Sequence, residues 1–178
     1  MSTSTPVVDH LLACSDAVYR ALGENAPRLS NDRFVVRTHE MARAFGEVSL
    51  ALRALSSGGA REPLAIIERV LHDAVAHDET GALALYALSI LVGPRLLVSL
   101  RDARDVAGVD GRVTAVFDRA ATSIVHEIVR CGEVLGPAGA VEDERWLAAA
   151  RHLRDVLERG GNADSFGVLG LGCPPPYN

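Results

Sequence analysis

The spacing of apolar and polar positions predicts six helices. One of them sets the plan. From Gly81 to Leu100 the chain is apolar on every side, and a helix with no polar face must be buried in protein or in lipid. Gly93-Pro94 would kink it, and Arg95 in hydrocarbon would cost about 2.5–3.5 kcal/mol, so a buried central helix is the expectation.

The other helices are amphipathic. Thr5-Pro6 is a good entrance for the first, whose stripe holds Val8, Leu11, Leu12, Val18, Tyr19 and Leu22, with Gly23 as its stop. The second is predicted from Arg33 to Ser56, with N-cap candidates in Ser30-Asn31-Asp32. Phe34, Thr38, Met41, Phe45, Val48, Leu52 and Leu55 recur there at alternating steps of four and three, along one face. Gly46 interrupts this helix at about 1 kcal/mol relative to alanine, which implies that something packs very close.

Glu62-Pro63 opens a third helix to His77, with Leu64, Ile67, Val70 and Leu71 inward. Asp78 then caps the central helix across a connection short enough to make these two sharply angled neighbours. A charged turn from Arg101 to Gly111 reverses the chain. A long helix from Arg112 to Arg130 follows, with Val113, Val116, Phe117, Ala120, Ile124 and Ile128 at helical spacing, antiparallel to the central one. Gly132, Gly136, Pro137 and Gly139 break the chain before the last helix, Glu142 to Arg159, whose apolar face is Trp146, Leu147, Ala150, Leu153 and Leu157. Residues 1–160 read as a single helical domain, and residues 161–178 as a Gly/Pro-rich tail with a disordered end.

Composition agrees with this plan. At 178 residues and 48% hydrophobic, there is material for one core and too little for two. Aromatic residues are only 4% while Ala and Leu abound, which favours an all-α fold built from aliphatic helix formers. All 18 basic residues are arginine, the mark of a GC-rich genome, bacterial or viral. A net charge of −5 gives no footprint for nucleic acid. Cys14, Cys131 and Cys173 are far apart and form no C-x-x-C, so free buried thiols in a reducing compartment are expected. The first residues lack the basic and apolar regions of a signal peptide.

Catalytic motifs are missing: there is no G-x-S-x-G, no phosphate-cradling glycine loop and no H-E-x-x-H. Glu68 and His72, with His77, His126 and Glu127, are the nearest approach to a metal set, without the paired Glu-x-x-His of a di-iron bundle. Neither enzyme activity, a metal nor a cofactor is expected.

Amphipathic helices around one apolar helix, with a long helix antiparallel to it, resemble the Bcl-2 family of apoptosis regulators. The resemblance covers nearly the whole chain. In Glu79-Thr80-Gly81-Ala82-Leu83-Ala84-Leu85-Tyr86, the glycine, the aliphatic residues and the aromatic match the family's first homology segment. Thr80 stands in place of its tryptophan and Ala82 in place of its arginine. Phe45-Gly46-Glu47 resembles the core of the third segment, with Ala42 and Ser49 where apolar residues are usual, and Trp146-Leu147 would be the second, displaced toward the C-terminus. A GC-rich DNA virus such as a parapoxvirus would account for both the missing lysines and the decayed motifs.

The resemblance implies an all-α, Bcl-2-like bundle with a buried central hairpin and an anti-apoptotic role. Death-motif helices of pro-apoptotic proteins of the Bax, Bak, Bim and Puma type would be sequestered in a hydrophobic groove. The groove would be lined by Val48, Ser49, Leu52 and Arg53 of the second helix and by Val70, Leu71 and Ala74 of the third. Glu79, Gly81, Ala82, Ala84 and Leu85 would complete it. Of these only Gly81 comes from the family motif; the rest follow from helical facing. Arg43 or Arg53 would substitute for the absent cation. The host cytoplasm and the mitochondrial surface are the implied locations. Two other classes stay open at this stage: a bacterial helical ligand-binding or regulatory domain, and a dimerisation module.

Overall fold

The computed structural model describes residues 5–56, 65–107, 111–136 and 144–161. The described residues form six helices and contain no strand. They are α1 (Thr5–Asn25), α2 (Asp32–Arg53), α3 (Ala65–His77), α4, α5 (Gly111–Leu135) and α6 (Glu144–Gly161). Helix α4 is the central one and has three parts: Ala82–Tyr86, a π-helical stretch Ala87–Val92, and Gly93–Ala107. It touches each of the other five helices. Leu83, Leu85, Leu88, Leu91, Val92, Leu96 and Leu100 carry it through the core.

Burial of α4 is not complete. Ile90 is 50% exposed, and Tyr86, Pro94 and Leu97 reach the surface in part. One stripe of this helix therefore lies at the surface of the bundle. Ala82–Asp102 is long and apolar enough to cross a membrane, but 67% of its most apolar window is already covered by protein.

The kink expected at Gly93-Pro94 coincides with a change of helical register. Pro94 has no N–H to donate to the preceding turn, and the turn ahead of it widens to π register, with the Gly93 N–H bonded to the Leu88 carbonyl. Arg95 is buried on the far side and donates Nη1 to the Leu91 carbonyl at 2.7 Å. The helix continues through Ala107, so much of the charged stretch read as a turn is helical. That stretch has a polar face that solvent can keep wet while the ladder goes on.

Two expected stops fail. Gly23 lies inside α1 and Gly132 inside α5, and a Cβ at either would meet nothing within 4 Å. A glycine ends a helix when it enters the left-handed region; positive φ among the described residues belongs to Gly81 and Gly136 alone. α1 ends instead at Asn25, whose side-chain amide donates to the Ala21 carbonyl at 2.7 Å, and Pro27 then enforces a short 3-10 turn.

The start of α4 is built as the sequence suggests. Asp78 accepts from the Thr80 N–H at 3.0 Å, from the Thr80 hydroxyl at 2.6 Å and from the Leu83 N–H at 2.9 Å. Gly81 has φ +96°, and a Cβ there would lie 3.1 Å from Leu29 Cδ1. α2 starts on Asn31, whose Oδ1 accepts from the Arg33 and Phe34 N–H groups.

Side-chain pairs fix the helix directions. Arg104 meets Asp118 and Gly93 meets Ile128, so α4 and α5 run antiparallel, the expected hairpin. Arg53 meets Asp16 and Ser56 meets Asp9, so α1 and α2 are antiparallel as well. α6 lies on α3, and Trp146 packs edge-on against Tyr86, with ring centroids 5.1 Å apart. Leu64 and residues 162–178 are outside the described residues.

Candidate functional site

The residues expected to line the groove do not form one in this structure. Val48, Leu52, Val70, Leu71, Ala74, Ala84 and Leu85 are all buried, and Gly81 is packed beneath Leu29 and Phe34. They lie in the hydrophobic core, where α2 and α3 each pack against α1 and against the start of α4. Helical facing identified the apolar side of each helix correctly, but α3 is clamped there by α1 and α6, and the junction is filled. Glu79 is exposed on the α3–α4 link and Ala82, the first residue of α4, is half-buried. The remaining two, Ser49 and Arg53, point the other way, toward α1.

An open groove lies on that side. Leu50 and Tyr19 stand at its edges, 66% and 49% exposed. Gly46 makes it: the Tyr19 ring approaches to 3.3 Å of where a Cβ would be, so here the glycine in mid-helix does mark a close approach. Ala42, Gly46 and Ser49 recur at steps of four and three, giving α2 a stripe of small residues that opens space between the two helices. The resulting groove has a volume of about 740 Å³.

Its walls carry both charges. Asp16, Arg20 and Glu24 of α1 face Arg43, Glu47 and Arg53 of α2, with His39 at one end. Most are already paired: Arg53 with Asp16 at 3.1 Å, Arg43 with Glu47 at 3.8 Å and Arg20 with Glu68 at 2.7 Å. The Ser49 hydroxyl is buried and has no hydrogen-bond partner among the described residues. A buried hydroxyl without a partner leaves a polar group in deficit by about 1–3 kcal/mol, and a ligand in the groove can supply that partner. The groove has an apolar floor of small residues and a polar rim of both charges.

Comparison with known proteins adds no identity. No family model, no curated protein and no solved structure matches the chain.

The histidines and carboxylates weighed as metal ligands are dispersed. Glu68 is held by Arg20, and His72 lies between Asn25, at 2.9 Å, and Glu24, at 3.5 Å. His77 stacks near His152 at 5.7 Å between ring centroids. Glu127 is buried in an ion pair with Arg37, which is only 2% exposed and also donates to Glu40 at 2.6 Å; Arg130 closes the network on Glu40 at 3.1 Å. Among the described residues, no group of three His, Cys, Asp or Glu converges.

Cys14 and Cys131 are buried thiols, neither of them in a disulfide. Burial pushes the Cys131 thiol up to about 11, a rise tempered by the nearby Arg37 guanidinium. The same cause raises Cys14 further. Cys131 donates its S–H to the Met41 thioether at 3.1 Å, so both act as packing groups between α2 and α5. Cys173 is outside the described residues.

Sequence reasoning missed the α1 wall of the groove entirely. The signal was present in the stripe Ala42-Gly46-Ser49, which lies beside the apolar face of α2 and has no reason to be small unless something packs against it.

Proposed function

We propose that this chain is a Bcl-2-like sequestering protein that captures an amphipathic helix of a pro-apoptotic partner in the groove between α1 and α2. The observation that carries the reading is the groove itself, open along its length, floored by small residues and flanked by Tyr19 and Leu50. The bundle supports it as well, since a central apolar helix touched by every other helix and paired with an antiparallel one is the arrangement that the resemblance implies. Apolar residues of the partner at helical spacing would cover Tyr19, Ala42 and Leu50, the helix-in-groove mode of recognition. Ser49 would gain its missing hydrogen bond.

The walls carry three arginines, Arg20, Arg43 and Arg53, and three carboxylates, Asp16, Glu24 and Glu47, so the groove discriminates by shape and by apolar spacing more than by net charge. Arg53 and Arg43 are the cations that the groove offers, at positions other than that of the family's arginine, and both are neutralised within the chain. The partners are the Bax, Bak, Bim and Puma class, met in the host cytoplasm or at the mitochondrial surface.

The test is calorimetric titration of the chain with a panel of death-motif peptides. Saturable binding on the order of −8 kcal/mol, about 1 μM, is expected. Leu50→Glu places a charge on an exposed rim position, where stability changes by roughly 0.5 kcal/mol or less, and should weaken binding at least tenfold. Absence of binding across the panel would refute the apoptotic reading, and binding indifferent to Leu50→Glu would refute the groove.

A further inference from the structure

We propose that Ser49 is the specificity-determining residue of the groove between α1 and α2, and that it selects a partner helix with an uncharged hydrogen-bonding side chain set into its apolar face. Asparagine, glutamine, serine and threonine are the residues of that class. The inference rests on the sequestering role proposed above and names the partner's chemistry at one position. The Ser49 side chain lines the groove yet is only 3% exposed, and its hydroxyl has no hydrogen-bond partner among the described residues. A serine in mid-helix can satisfy its hydroxyl on the carbonyl four residues back. Ser89 does so, donating to the Leu85 carbonyl at 2.8 Å, whereas Ser49 does not. Alanine would occupy the same place on the floor without that deficit. The hydroxyl is therefore a single open polar group on a floor otherwise made by Ala42 and Gly46.

Spacing and charge decide which partner group completes it. Along α2, Gly46 lies about 6 Å from Ala42 and Ser49 about 4.5 Å further on, at the helical rise of about 1.5 Å per residue. A partner helix lying along the groove climbs at the same rate, so three side chains separated by steps of four and three stand over these residues in turn. Two of them meet the alanine methyl and the glycine and are apolar; the third meets the hydroxyl. A carboxylate is disfavoured at that third position. Arg53 follows Ser49 by four residues, on the same side of α2, and its Nη2 donates to both oxygens of Asp16, at 3.2 and 3.1 Å. A carboxylate over Ser49 would thus be desolvated on the floor with the Arg53 cation already neutralised, the costly case for a buried charge. A neutral amide or hydroxyl loses far less on leaving water and gains the Ser49 bond.

The experiment uses the full chain, its Ser49→Ala variant and a death-motif peptide that the parent binds, with asparagine, alanine or aspartate placed in turn at each position of the peptide's apolar face. Calorimetric titration of the parent is expected to find one position at which asparagine binds about tenfold more tightly than alanine or aspartate. That preference is expected to vanish in Ser49→Ala. It should persist in Thr38→Val, which removes a second buried hydroxyl that lacks a partner among the described residues but lies off the groove. In urea denaturation of the free chain, Ser49→Ala is expected to raise the midpoint, because the uncompleted hydroxyl is gone. A midpoint that is not raised would overturn the assignment without any peptide, since the hydroxyl would then be satisfied within the chain. Parent binding with no such position, with aspartate preferred, or with the preference surviving in Ser49→Ala would overturn it and leave the groove reading intact. No peptide bound by the parent would overturn both.

Discussion

Replacing Gly93 by alanine sets two rules against each other. Helix propensity alone says that alanine should stabilise an interior helical position by about 1 kcal/mol. The geometry says the opposite. A Cβ on Gly93 would lie 2.6 Å from the Leu88 carbonyl oxygen, 2.8 Å from Ile128 Cδ1 and 3.0 Å from Ile128 Cγ1. The Ile128 side chain can turn aside, but the carbonyl cannot, because it accepts the π-register bond from the Gly93 N–H itself. Overpacking of this kind costs typically 1–3 kcal/mol, and loosening the hydrogen bond adds about 1 kcal/mol. Against the propensity gain, a net loss of about 1–3 kcal/mol is expected. Urea denaturation followed by far-UV circular dichroism reads it as a lower midpoint at an unchanged slope. Gly132→Ala is the control: it also lies inside a helix, but its Cβ meets nothing within 4 Å, so a gain of up to about 1 kcal/mol is expected. Trimming Ile128 to valine in the Gly93→Ala background should recover part of the loss and leave the carbonyl's share. A neutral or stabilised Gly93→Ala would refute the reasoning.

Three further outcomes follow from the same structure. Arg37→Met leaves Glu127 buried without its cation and should cost about 3–5 kcal/mol, whereas Arg37→Met with Glu127→Leu should recover most of it in thermal or urea melts. Asp78→Ala removes the acceptor for the Thr80 and Leu83 N–H groups and should cost about 1–2 kcal/mol, again by urea midpoint. The Cys131 thiol ionises near 9.0 when unfolded and near 11 when folded, so its contribution is intact below pH 9 and is lost as pH rises toward 11. Two pH units correspond to roughly 3 kcal/mol at most, and the stability of Cys131→Ala should fall less steeply across that window than that of the parent.

The sequence carried the fold further than the site. Six helices, the Asn31 and Asp78 caps and the α4–α5 hairpin were all legible, because periodicity and capping are local and need no knowledge of neighbours. Gly23 and Gly132 misled because a glycine ends a helix only when its φ turns positive, which composition does not reveal. At Pro94 the helix continues through a π turn, which works only because Gly93 lets the Leu88 carbonyl and Ile128 come close. The Arg37–Glu127 pair joins residues from α2 and α5, a register that no local rule supplies. Glu127 accordingly stood out in the sequence only beside the histidines, as part of an incomplete metal set. Most of the expected groove lining is buried core for the same reason. Facing tells which residues turn inward, and Val70 or Leu85 inward can mean a groove wall or a filled core. Only the positions of α1 and α6 against α3 decide between them.

Whether the surface between α1 and α2 takes a partner helix is read by amide hydrogen exchange of the chain saturated with a bound death-motif peptide. Added protection is expected along α1 from Asp16 to Glu24 and along α2 from His39 to Arg53, with α3 and the start of α4 unchanged. Protection concentrated instead on Val70 to Ala74 and Gly81 to Leu85 would contradict it, because the partner would then have opened the filled junction and left the groove between α1 and α2 empty.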